Sequence, residues 1–74
     1  MAQQSPFPEI SSERFAEALR RAQAEFREMP GLKLTEAQVA RLLSFDSALC
    51  SAVLTTLVDQ HFLMRTRDTF QRAT

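Results

Sequence analysis

Apolar residues recur at helical spacing in three separate stretches of this chain. In SSERFAEALRRAQAEFREM, the residues Phe15, Leu19, Ala22, Phe26 and Met29 step by four, three, four and three. That is one stripe on a helix of about 17 residues, roughly 25 Å long. Ser11 or Ser12 can cap it, and Glu13 suits the positive end of its dipole. Glu17 and Arg21 form an i, i+4 pair in the favourable orientation, and Pro30-Gly31 ends the run. The LKL segment from Leu32 to Leu34 is long enough only for a bridging strand. Thr35 then opens a second helix with TEAQ, which places Gln38 where a capping box needs it. Val39, Leu42 and Leu43 face inward and Arg41 outward, until SFD breaks the pattern at Ser44 to Asp46.

Asp46 or Ser47 caps the third helix, which runs to about Gln60. Its inward face is Leu49 or Cys50, then Val53, Leu54, Leu57 and Val58; its outward face is Ser47, Ser51, Ala52, Thr55 and Thr56. β-Branched residues at 53, 55 and 56 lower helix propensity, but the helical period is kept and prevails. Beyond His61 the period changes. FLMRT alternates as a strand does, and TFQRAT, after Arg67-Asp68, can pair back on it. The predicted fold is mainly α: three helices and a short C-terminal β-hairpin in one domain over residues 11–74. Residues 1–10, MAQQSPFPEI, form a flexible or extended lead, because Pro6 and Pro8 bar a helix there. Phe7 and Ile10 can pin that lead to the body.

Composition narrows the chemistry. A domain this small buries only about 60% of its unfolded surface. Cys50 has no second cysteine to pair with, and with His61 it falls short of the four ligands of a structural zinc site. Efficient helix packing or self-association has to supply the stability. A lone thiol fits a reducing compartment, there is no basic n-region or apolar h-region at the N-terminus, and no apolar run approaches a membrane span. The expected location is the cytoplasm, with no membrane partner. Nine basic and nine acidic side chains cancel, and from Ser44 to Gln60 there is neither Lys nor Arg. Eight of the nine basic residues are Arg, the better partner for phosphate and guanine.

The stretch LTEAQVARLLSFDSALCSAVLTTLVDQHFLMRT, Leu34 to Thr66, resembles the winged helix-turn-helix family. Thr35 opens the first helix of the motif, and Ala40 stands where a small residue lets two helices cross closely. SFDSALC looks like the family's turn, and LVDQHFLMRT looks like its entry into the wing. The chain is also similar to short bacterial proteins of unassigned role that consist of little else. Ser44 and His61 stand where the family often has glycine, at helix ends that favour positive φ. The resemblance implies binding to double-stranded DNA in a regulatory role, with the helix at 46–60 in the major groove and the 62–72 wing on the backbone. Ser47, Ala48, Ser51, Ala52 and Thr55 would meet the groove, with Arg41 on the second helix and Arg65, Arg67 and Arg72 on the wing meeting phosphates. Ser and Thr hydroxyls can bond bases or phosphates, and Ala and Thr methyls can meet thymine.

An alternative stays open: a protein-interaction or dimerisation module on the same scaffold, without DNA binding. Phe15, Leu19, Ala22 and Phe26 have the step of a minimal coiled-coil seam, which a globular core helix shows as often, and the protein is expected to act as a homodimer through this first helix. An enzyme is not expected. Cys50 and His61 lie about three helical turns apart, and there is no Gly-rich phosphate loop. Cys50 reads as a small core residue and His61 as a helix-end residue facing the dipole. No cofactor and no metal are implied.

Overall fold

The computed structural model describes residues 11–73. The lead at 1–10, with Phe7 and Ile10, and Thr74 lie outside the described residues. The element order is α1 (Ser12–Glu28), β1 (Leu34–Thr35), α2 (Glu36–Leu43), α3 (Ser47–Asp59), β2 (Leu63–Thr66) and β3 (Thr69–Arg72). Three helices and a small antiparallel sheet in the strand order β1-β3-β2 therefore make up the domain.

Each helix starts on a side-chain cap. Ser11 Oγ accepts from the Arg14 amide at 3.1 Å, and Asp46 Oδ1 accepts from the Leu49 amide at 2.8 Å. Thr35 and Gln38 close a full capping box: Gln38 N–H donates to Thr35 Oγ1 at 3.2 Å, and Thr35 N–H donates to Gln38 Oε1 at 2.8 Å. Thr35 also belongs to β1, which starts two residues later than LKL suggested, because the strand runs directly into the cap. The two later helices end where Ser44 (φ 59°) and His61 (φ 62°) take the left-handed conformation. After α3 the Phe62 amide donates to the Leu57 carbonyl at 2.9 Å and the His61 amide to Val58 at 3.0 Å, the paired bonds of a Schellman ending. Phe45 donates to the Ala40 carbonyl at 2.9 Å in the same six-to-one fashion after α2.

α3 is the centre of the packing. Leu49, Cys50, Val53, Leu54 and Leu57 are all buried, so both candidates for its first inward position serve the core. α1 contributes Ala18, Ala22 and Phe26, and α2 contributes Val39 and Leu43. Phe45, Leu63 and Phe70 close the core from the turn and the sheet. No polar or charged residue is buried among the described residues. Each large side chain in this set contributes about 1.5–3 kcal/mol relative to exposure.

Two inward assignments change. Met29 is 46% exposed because it lies beyond the last turn of α1, with its backbone already out of helical geometry (φ −126°, ψ 82°). The buried line is instead Ala18–Ala22–Phe26, whose first two small side chains allow a close approach of α3. Leu42 is 51% exposed: α2 has only eight residues, and Val39 and Leu43, four apart, take up its core-facing line. Val58 is half-buried and packs against the core, in keeping with its inward place.

Candidate nucleic-acid interface

α2 and α3 are joined by Ser44-Phe45-Asp46 and their axes turn through 113°. Two helices at about 90–120° across a three- or four-residue turn are the geometry of a helix-turn-helix. Each residue of this turn is held separately. Ser44 supplies the left-handed bend, Phe45 is buried beneath the Arg21 guanidinium (5.7 Å to the ring centroid), and Asp46 caps α3. Asp46 Oδ2 also meets Arg14 at 3.6 Å, an exposed ion pair that ties the start of α1 to the start of α3. Phe45 as a core residue and Arg21 as its cover were not legible from periodicity, since both lie outside a helical stripe.

The outer surface of α3 carries Ser47, Ser51 and Thr55, four residues apart and exposed, with Ala48 and Ala52 half-buried beside them. No intramolecular hydrogen bond engages the three exposed hydroxyls among the described residues. Thr56 differs. Its Oγ1–H donates to the Ala52 carbonyl at 2.8 Å and the residue is half-buried, so it is removed from the outer face. The five groove positions expected from sequence are thus brought together on one side of α3; none of the five is charged, and the next step of the Ser47–Ser51–Thr55 line is the exposed Asp59.

The arginines divide by strand phase. β2 and β3 pair as Leu63↔Arg72, Met64↔Gln71, Arg65↔Phe70 and Thr66↔Thr69. Side chains alternate along a strand, so Arg65 and Arg72 share the face of Leu63 and Phe70, the two residues the sheet gives to the core. Arg65 accordingly lies over Phe70 at 5.7 Å and donates its Nε–H to the Arg67 carbonyl at 3.1 Å. Arg72 stacks on Phe62 at 4.2 Å, at the end of the hairpin remote from the turn. Arg67 sits in the two-residue turn at φ 59° and is exposed, as is Arg41 on α2. Neither has a carboxylate partner among the described residues.

The dimer positions are divided too. Ala22 and Phe26 are buried in the chain's own core, while Phe15 and Leu19 are half-buried against it. Ala22 and Phe26 therefore serve the chain's own core, while Phe15 and Leu19 keep part of their surface exposed. Cys50 is fully buried with its Sγ–H toward the Glu36 carbonyl at 3.5 Å. Burial, and secondarily the Glu36 charge, pushes its pKa up from 9.0 to about 11. A thiol so placed is a core side chain rather than a nucleophile. No cluster of three or more His, Cys, Asp or Glu side chains converges among the described residues. No single helix among them is long and apolar enough to cross a membrane.

Comparison of the chain with protein-family models, curated proteins and solved structures gave no match.

Proposed function

We propose that this protein is a small winged helix-turn-helix DNA-binding regulator that lays α3 in the major groove. The observation that carries the reading is the 113° turn between α2 and α3 across three residues, which leaves Ser47, Ser51 and Thr55 exposed with unengaged hydroxyls. The strand order β1-β3-β2, with β1 ahead of α2 and the hairpin after α3, supports it as the arrangement of a wing. Affinity comes from phosphate contacts by the free arginines Arg41 and Arg67, with Arg65 beside them. Arg72 is engaged at the base of the hairpin and takes no part. With no Arg, Lys, Asn or Gln on the outer face of α3, base readout is by hydroxyls and methyls and is correspondingly permissive.

Fluorescence anisotropy against a random duplex at low and moderate salt tests this reading. The expected result is binding that weakens as salt rises, with a slope reduced by about one phosphate contact in Arg67→Ala. An absence of binding at low salt rules it out.

The second reading is a protein-interaction module on the same scaffold. It is favoured by the outer face of α3, which carries no basic residue, and by Leu42, half exposed on the neighbouring α2. It predicts no affinity for duplex at any salt.

A further inference from the structure

A cleft of about 210 Å³ opens between the first half of α1 and the α2–α3 turn. Arg14, Glu17, Ala18 and Arg21 line it from α1, and Ser44, Phe45 and Leu49 line it from the turn and the start of α3. The four α1 residues fall on one face of the helix and span about 10 Å of its length. Ala18, Phe45 and Leu49 are buried and give the cleft an apolar wall. Arg14, Glu17 and Arg21 are exposed and give it a charged rim.

The three rim charges are not equally engaged. Arg14 meets Asp46 at 3.6 Å. Glu17 and Arg21 have the spacing of an i, i+4 pair, yet no ion pair joins them to each other or to another side chain among the described residues. Arg21 instead lies over the Phe45 ring, 5.7 Å from its centroid. Stacking uses the face of a guanidinium and leaves its N–H edge able to bond a carboxylate. Two unspent charges of opposite sign therefore stand one helical turn apart, with roughly 6 Å between their Cβ atoms.

That pattern separates ligand classes. A simple anion gains from Arg21 and is repelled by Glu17, and a simple cation meets the reverse. A molecule with a carboxylate and an ammonium on one carbon satisfies both. The cleft is smaller than the roughly 300–1,000 Å³ of sites for drug-sized ligands, so its occupant is small. The buried wall favours an occupant with an apolar side chain.

We propose that this cleft binds a free α-amino acid with an apolar side chain. The carboxylate meets Arg21, the ammonium meets Glu17, and the side chain lies against Phe45 and Leu49. The site is built on α1 and the turn rather than on the outer face of α3, so its occupancy does not depend on DNA binding.

The test is an amide NMR titration of the full chain with leucine up to ~20 mM, a concentration that reveals even millimolar binding. Leucinamide, which keeps only the cation, and 4-methylpentanoate, which keeps only the carboxylate, are titrated in parallel at constant ionic strength. The proposal expects saturable shifts with leucine at Ser44, Phe45 and Leu49, and a response to each truncated ligand weaker by about tenfold. Glu17→Gln and Arg21→Gln, both at exposed positions, should each weaken leucine binding by about tenfold. No saturable shift with leucine overturns the proposal, as does an equal response to leucinamide or 4-methylpentanoate. Shifts confined to other parts of the chain, or an unchanged affinity in either variant, also overturn it. If a variant does not fold, the three wild-type titrations still decide.

Discussion

Arg65 and Phe70 are register partners across the hairpin, with the Arg65 guanidinium carbon 5.7 Å from the Phe70 ring centroid. The same guanidinium donates to the Arg67 carbonyl at 3.1 Å, so one side chain both covers the core and fastens the turn. Arg67 holds a left-handed backbone there, and its own side chain is left for solvent or a partner.

The two arginines should therefore separate in mutagenesis. Arg65→Ala removes a stacking contact and a charge-assisted hydrogen bond at an exposed site, a loss of about 1 kcal/mol. Arg67→Gly relieves a left-handed residue and should gain about 0.5–1 kcal/mol while lowering duplex affinity. Urea denaturation reads both stabilities. Equal destabilisation by the two changes would contradict the division of labour.

Ser44 and His61 end α2 and α3 at φ 59° and 62° without glycine. Ser44→Gly and His61→Gly should each stabilise the domain by about 0.5–1 kcal/mol. The double variant should gain roughly the sum, since the two sites end different helices. A denaturation midpoint that falls in either single variant would show that the side chain is needed for something other than the bend.

These two positions show what the chain reveals before folding. Their conformation was expected from the resemblance, in which glycine often stands at these two helix ends. The cap at Thr35, the choice of Asp46 or Ser47 for α3 and the hairpin around Arg67-Asp68 were legible for local reasons, from capping chemistry and the change of period. The less visible features depend on which neighbour arrives. Phe26 and Ala22 fit a seam between chains as well as a core, and only the position of α3 decides that they belong to the core. Leu42 fits the apolar period of α2, yet no element among the described residues covers it. Arg65 and Arg72 read as wing charges by composition. Counting strand phase from Leu63 in FLMRT and from Phe70 in TFQRAT places both on the core side, a signal overshadowed by their charge.

Cys50 gives the domain a pH dependence of known sign. Its pKa stands at about 11 in the folded chain against 9.0 ordinarily, so the folded state holds the proton more tightly. The associated stability is complete below pH 9.0 and is lost as pH rises toward about 11. Cys50→Ala should flatten this part of the stability profile relative to wild type, at the cost of a small cavity. At neutral pH the native thiol should resist a disulfide reagent until denaturant opens the core. Fast labelling of the native protein would place Cys50 outside the core described.

The central claim is that α3 presents Ser47, Ser51 and Thr55 to a DNA groove while Arg41 and Arg67 meet the backbone. The most direct measurement is amide NMR of the isotope-labelled chain titrated with a random duplex at low salt. The account predicts that the largest shifts map to Ser47, Ser51, Thr55, Arg41 and Arg67 and shrink as salt is added. A spectrum that does not change with duplex at low salt, or one whose changes leave α3 untouched, would contradict it.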